Sequence, residues 1–364
     1  MTKIKNQAEI AIIGGGIIGM LTAYMLRKAG AEVILVEKSE YAGESSWAGG
    51  GILSPIYPWR YPDAANALAF KSRKLYPGLA DEIMSISGID PEYQPCGMHI
   101  LSSDIPPSAT QWLDRHNVAH RQAHPGENVS QSYGFTYLPE IAQIRNPRLI
   151  KSLRRALELN GVVTLFNQSV SDINALTTSG FELHTENSKV KAKKVVVCAG
   201  AWTSKLLSDY LPSLDIRPVR GQMLLFKAPV GFLSSIILAK GKYIIPRLDG
   251  RVLVGSTMED VGFDKATTAN GKSEILAFID EVCPELASFP LEKHWSGLRP
   301  GSPDGVPVIS EHPEISGLYV NSGHFRNGVV MAPASAKLMR DIILQNNSDL
   351  DTRPYQIGEP QFVS

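Results

Sequence analysis

The chain has 364 residues, enough for two domains or two interleaved ones, and 43% hydrophobic against 20% charged residues is the balance of an ordinary globular enzyme. Lys plus Arg and Asp plus Glu both number 36, so a formal net charge of zero speaks against nucleic acid or an anionic membrane as the main partner. The scattered Cys96, Cys198 and Cys283 form no CxxC pair and the eight histidines have no metal-ligand spacing, which argues against a disulfide framework and a zinc site.

In chain order, residues 10–13 read as a short buried strand, 17–29 as a helix and 32–36 as a second strand: a βαβ unit with a glycine turn. Residues 10–26 carry no charge, but Gly14, Gly15, Gly16 and Gly19 interrupt them and the run is short for a membrane span. The start, residues 1–9, is mixed in charge, unlike a signal peptide. The expectation is a cytoplasmic protein without an integral membrane segment. Residues 44–61 are too irregular for one element, 70–87 look helical, and 106–137 form a variable stretch opened by Pro106 and Pro107. Residues 147–160 have helical spacing, stopped by Gly161. Residues 162–166 and 191–197 read as strands, the second nearly all apolar, as a buried parallel strand would be. There Cys198 reads as a structural thiol. Residues 224–227, 243–246 and 251–255 read as antiparallel strands, with Leu248-Asp249-Gly250 as a hairpin turn. A buried strand over 317–321 and a helix over 332–345 close the chain.

Parallel-type strands at both ends with antiparallel ones between imply an α/β chain, α+β overall. The expected layout is a Rossmann-like cofactor domain from residues 1–90, 147–215 and 296–364, with an inserted substrate domain, 91–146 and 216–295, built on a mainly antiparallel sheet.

Gly14-x-Gly16-x-x-Gly19 follows a strand and opens a helix. Gly14 permits the tight turn, Gly16 lets the backbone approach a pyrophosphate, and Gly19 allows close helix packing. The helix start offers N–H groups and a positive dipole end to phosphate. Glu37, about twenty residues further on, can accept both ribose hydroxyls of an adenosine. The run from Gly43 to Ile52, with two serines and three consecutive glycines, favours FAD over NAD. It suits backbone lying against a second phosphate and a flat ring.

With these residues the chain resembles the D-amino-acid oxidase family of flavoproteins, and more narrowly the bacterial glycine oxidases, including those serving thiamin synthesis. The likeness continues through Asn146-Pro147-Arg148-Leu149, Val197-Cys198-Ala199-Gly200-Ala201-Trp202, Arg217-Pro218-Val219-Arg220-Gly221-Gln222 and Tyr243-Ile244-Ile245-Pro246-Arg247. It runs on through Gly297-Leu298-Arg299-Pro300-Gly301 and Gly323-His324-Phe325-Arg326-Asn327-Gly328. The resemblance implies non-covalent FAD. Ile17, Ile18, Glu37 and Lys38 would hold its ADP half, and Ser45 and Ser46 its pyrophosphate. Gly50, Gly51 and Ile52 would line the ring, and Val170 would meet the adenine. Gly200 belongs to the same site, and His324, Phe325, Arg326, Asn327, Gly328, Val329 and Val330 would wrap the pyrimidine edge. It further implies oxidative deamination of glycine, with O2 as electron acceptor, and a homo-oligomer, a tetramer.

An amino-acid substrate must be held by its carboxylate. Arg299 sits between Leu298 and Pro300, and a buried arginine needs an anion, which substrate or an internal salt bridge would provide. The resemblance gives Arg299 the carboxylate, Tyr243 a supporting hydroxyl and Arg326 a backbone carbonyl near the amine. Met258 reads as an apolar pocket wall or a plain core methionine. Gly241 and Lys242 leave the entrance open enough for sarcosine, other N-alkylglycines or small D-amino acids. Three other readings remain: an amine dehydrogenase passing electrons to a quinone or partner protein shares every motif; a flavin subunit with an assembly role would not need Tyr243, Arg299 and Arg326; a nicotinamide enzyme would be colourless.

Overall fold

Alternation along the first strand organises one half of the fold. In strand Gln7–Ile13, Ile10 and Ile12 enter one core while Ala11 and Ile13 enter another, as a pleated strand buried on both faces must. Each fully buried Ile contributes roughly 1.5–3 kcal/mol. The computed structural model describes residues 6–40, 43–176 and 180–358; residues 1–5 and 359–364, the ends of the expected cofactor domain, lie outside them.

The first sheet runs in the order Val308–Glu311, Leu318–Ser322, Lys189–Val197, Gln7–Ile13, Val33–Val36 and Val163–Leu165. Its central pairs are parallel, and only the edge strand Val308–Glu311 reverses. Strand Phe181–Thr185 attaches antiparallel to the start of Lys189–Val197, and Val170–Ala175 pairs antiparallel with Phe181–Thr185 in turn. Helices Ile17–Lys28, Asp63–Ser87, Asn146–Leu159 and Gly328–Ile343 cover the face carrying Ile10 and Ile12. The opposite core joins Ala11 and Ile13 to Ile173, Phe181, Leu183 and Leu207.

The second sheet runs Leu291–Gly301, Arg217–Lys227, Arg251–Gly255, Lys242–Pro246, Ile236–Ala239, Met98–Leu101, Phe135–Leu138 and Arg121–Gln122. It is antiparallel apart from the pairing of Ile236–Ala239 with Met98–Leu101. Helix Ala269–Val282 packs on one face with Ile244 and Val254 beneath it, and Tyr243 and Ile245 take the other.

Several elements extend beyond the sequence reading. The variable stretch holds helix Pro107–Arg115 and strand Phe135–Leu138. The strand expected over 224–227 begins at Arg217. Strand Leu291–Gly301 escapes an apolar-periodicity search because its first half is polar and partly exposed. The boundary drawn between residues 295 and 296 falls inside it. The last helix starts at Gly328, well before residue 332, and contains Pro333. Proline cannot donate to the carbonyl one turn back, that of Val329. The Tyr76 hydroxyl donates to that carbonyl instead, so the buried acceptor is satisfied.

No helix among the described residues is long and apolar enough to cross a membrane. Cys96, Cys198 and Cys283 are all free, and burial pushes the Cys198 thiol far up.

Candidate functional site

A single cavity of about 470 Å³ runs from the glycine turn of the first sheet to the mouth of the second. Gly14 makes the turn at φ +107°, its N–H donating to Val36 O at 2.8 Å. A Cβ here would strike the Cys198 carbonyl, and one at Gly19 would strike Gly14 O. Helix Ile17–Lys28 then starts with no side-chain cap and no acidic residue in its first turn. Its positive end is left for an anion. Ser46, on the short helix Ser45–Ala48, closes over it, its Oγ accepting from Ile17 N at 3.0 Å.

Glu37 follows the second parallel strand and is only 6% exposed. Its Oε2 accepts from Gly15 N at 2.7 Å, while Oε1 accepts from Ser39 N at 3.0 Å and Ser39 Oγ at 2.6 Å. A carboxylate oxygen has two acceptor positions. Oε1 is therefore filled and one position on Oε2 is open. Lys38 lines the same end, its Nζ 3.0 Å from the centre of the Trp202 ring.

At the far end, Arg299 projects from strand Leu291–Gly301 into the cavity and stays partly exposed there. Its Nη1 donates to Arg220 O at 3.2 Å and Thr257 O at 3.3 Å; Nη2 donates to Ser256 Oγ at 2.6 Å and Thr257 O at 3.3 Å. All of these acceptors are neutral. Among the described residues no carboxylate pairs with it, and burial lowers its pKa, helped by the nearby Arg326 charge and opposed by Tyr243. The alternative of an internal salt bridge is thus not what this chain contains. Gly221 lies directly beneath, where any Cβ would collide with the guanidinium. Tyr243 flanks Arg299 and interacts with its guanidinium, and its hydroxyl makes a long contact of 3.4 Å with Met223 Sδ. Arg326 donates from Nη2 to Gly241 O at 3.2 Å.

Between the two ends, Gly50, Gly51 and Ile52 form one wall. A Cβ on Gly50 would lie 2.7 Å from Ile245 Cδ1, and Gly51 adopts φ +73°. Arg247 secures this wall from behind, donating to Gly50 O at 2.8 Å. His324, Phe325, Arg326, Gly328, Val329 and Val330 form another wall, with the N-terminus of helix Gly328–Ile343 opening onto the cavity. His324 is buried against Ser335 Oγ at 2.7 Å, and burial holds its pKa down at about 3. The other expected residues Gly16, Ile17, Ile18, Ser45, Ser46, Val170 and Gly200 also line the cavity.

Three expected residues do not. Gly19 serves packing behind the turn, and Asn327 is buried behind the wall with its Nδ2 unpartnered. Met258 is 61% exposed and faces away, so it is neither pocket wall nor core. Its neighbour Thr257 contributes instead, through the carbonyl under Arg299. The sequence reading assigned no role to Gly221, Met223 or Trp202, which also line the cavity. Gly221 and Trp202 lie inside quoted motifs, which was the available signal.

The residues fit a flavin dinucleotide. One end offers an open acceptor on Glu37, then come an uncapped helix start and glycine walls that leave no room for side chains, and beyond the flat region stands an arginine without an anion.

Comparison with known proteins agrees. The model of the family described as FAD dependent oxidoreductase matches residues 9–342. The glycine oxidase of Pseudomonas aeruginosa is 40% identical over 357 residues, covering 95% of this chain and 98% of that one. That of Pseudomonas putida is likewise 40% identical, over 95% and 97%. The crystal structure of glycine oxidase from Geobacillus kaustophilus superposes with a TM-score of 0.92 at 28% identity, covering 98% of this chain and all of that one. With the sheet order, the glycine turn and the cavity all in agreement, the chain belongs to the family of FAD dependent oxidoreductases.

Proposed function

We propose that this enzyme oxidises glycine to its imine, which water converts to glyoxylate and ammonia, while O2 is reduced to hydrogen peroxide. The carrying observation is the uncompensated guanidinium of Arg299 at the end of the cavity. A cation desolvated without a counter-ion favours an anionic ligand, and an α-carboxylate matches its planar fork. In this reading the Tyr243 hydroxyl, beside the guanidinium, adds a bond to the same carboxylate, and the Arg326 backbone carbonyl receives the amine. The two relatives at 40% identity, both glycine oxidases, support the substrate. In the same reading the range extends to sarcosine, N-alkylglycines and small D-amino acids; a Cβ on Gly241 would meet nothing within 4 Å, so no side chain crowds that turn.

FAD supplies, when bound, the acceptance of two electrons with the substrate hydride and their delivery to oxygen. The chain contributes orientation and exclusion of water. In this reading Glu37 and Lys38 meet the adenosine ribose region, Val170 the adenine, and the N–H groups of Ile17 and Ile18 with Ser45 and Ser46 the pyrophosphate. Gly50, Gly51, Ile52 and Gly200 lie along the ring and its linker, and residues 324–330 along the pyrimidine edge, where the start of the last helix favours negative charge. Three free cysteines suit a reducing compartment. We place the enzyme in the cytoplasm as a homo-oligomer.

The test is a spectrum of the purified yellow protein, repeated anaerobically with glycine added. Bleaching of the flavin band followed by its return on admitting air, with peroxide formed, is expected. An unchanged spectrum sinks the substrate reading, and bleaching with slow return on air favours a dehydrogenase. Acid precipitation should release all the colour, because Ser296-Gly297-Leu298 beside Arg299 offers no cysteine for a covalent link.

The pH dependence follows from His324. It is the only histidine on the cavity among the described residues, and with a pKa near 3 it stays neutral from acid to alkaline pH. The reductive rate should therefore rise with pH as the substrate ammonium loses its proton, without a step between pH 5 and 7. Stopped-flow reduction across pH checks this, and a histidine-like step in that window contradicts it.

A further inference from the structure

Behind Arg299 lies a polar hub with no place in the reading so far, with Arg220, Gln222 and Thr257 buried, Glu259 half-buried and Asp264 exposed at its rim. Strand Arg217–Lys227 carries Arg220, only 4% exposed, whose backbone pairs with Glu259 through N–H to carbonyl bonds of 2.9 and 3.0 Å in both directions. Its guanidinium donates to Glu259 Oε2 at 2.6 Å and to Asp264 Oδ2 at 2.7 Å. The other oxygen of Glu259 accepts from Gln222 Nε2 at 2.8 Å and from Thr257 Oγ1 at 2.5 Å. Thr257 Oγ1 in turn accepts from Gln222 N at 2.9 Å.

The hub sets both things that matter about Arg299. The carbonyls of Arg220 and Thr257 receive the Arg299 fork; the Arg220 carbonyl also accepts from the Glu259 backbone N–H, and the Glu259 carboxylate holds the side chains of the same two residues, the Arg220 guanidinium and the Thr257 hydroxyl. Meanwhile Arg220 and Asp264 satisfy the charges within the hub, so Glu259 is engaged elsewhere and Arg299 keeps its charge for a ligand.

We propose that Glu259, with Arg220, is a positioning residue for the substrate-carboxylate anchor, fixing the Thr257 and Arg220 carbonyls under Arg299 and being kept from Arg299 by its own ion pair. This rests on the reading of Arg299 as the carboxylate anchor. Glu259 touches neither substrate nor cofactor, and it lies off the cavity. A network anchored on a buried arginine holds one geometry when its members are satisfied.

The experiment is a double-mutant cycle on the FAD-loaded enzyme, read as glycine affinity in anaerobic flavin reduction. Glu259→Gln keeps the shape but removes the charge and one acceptor. It should weaken glycine binding by on the order of tenfold in the wild-type background and by less than about twofold in Arg299→Ala, with FAD affinity unchanged. Thr257→Val serves as a second variant, since it cuts the tie between Glu259 and the segment while keeping the carbonyl; it should shift glycine affinity in the same direction, by a smaller factor. Equal losses in both backgrounds, or none in either, would overturn the inference and leave Arg299 as anchor. If Arg299→Ala itself binds glycine as the wild type does, the anchor reading falls and this inference falls with it.

Discussion

Arg299→Ala should raise the apparent KM for glycine by roughly 30- to 4,000-fold, from the loss of about 2–5 kcal/mol when one partner of a desolvated ion pair is removed. Glycine has almost no apolar surface, so its carboxylate and amine must supply its affinity. The guanidinium is already oriented by Arg220 O, Thr257 O and Ser256 Oγ, and little ordering entropy is left to lose on binding. The visible flavin spectrum should stay close to wild type, because the substitution lies at the substrate end. Arg299→Lys should recover only part of the loss, since a point charge cannot reproduce the fork. Tyr243→Phe should cost less, one neutral hydrogen bond of roughly 0.5–1.5 kcal/mol. Anaerobic reduction over a range of glycine concentrations is the measurement. Wild-type affinity in Arg299→Ala would place the anchor elsewhere.

Glu37→Ala should weaken FAD binding by roughly two to four powers of ten. The open position on Oε2 gives one charge-assisted bond to ribose, and the bond from Gly15 N is a second; each is worth roughly 1.5–3 kcal/mol. The second loss acts through the turn, because Gly15 lies between the two glycines that shape the phosphate cradle. Glu37→Gln should recover little. An amide has one acceptor oxygen, so its NH2 must face either Gly15 N–H or the N–H of Ser39, a donor against a donor. Titration of apoprotein with FAD, followed by fluorescence quenching, gives both constants. Equal FAD affinity in wild type and Glu37→Ala would remove this carboxylate from the site, whatever happens to turnover.

Local chemistry made the cofactor half of the site legible. The glycine turn, its strand and helix, and Glu37 are close in sequence, and each glycine answers to a nearby steric need. The βαβ reading and the apolar run ending at Val197 correspond to the centre of the parallel sheet. Long-range pairing hid the rest. Its motif names Arg299, but the strand that carries Arg299 escapes because its polar first half breaks the alternation, and Arg220, Glu259 and Asp264 meet only through strand pairing and a turn. Met258 shows the limit of reasoning from residue type. Its apolar side chain suggested a wall, yet the segment's direction is set by Thr257 and Glu259, whose polar side chains turn inward and leave Met258 facing solvent.

Strand Leu291–Gly301 pairs along its length with Arg217–Lys227, and its last residue bridges to His324 at the cofactor wall. Anchor and cradle are thus mounted on one continuous girder, with Arg299 two residues before the joint. Swinging the cofactor wall away from the second sheet would have to break the Gly301–His324 bridge, so the span from carboxylate fork to cofactor is already set by the folded chain. Arg326, on the cofactor wall, also reaches across to the second sheet through Gly241 O, so the ruler between the two binding partners is fastened at more than one mark.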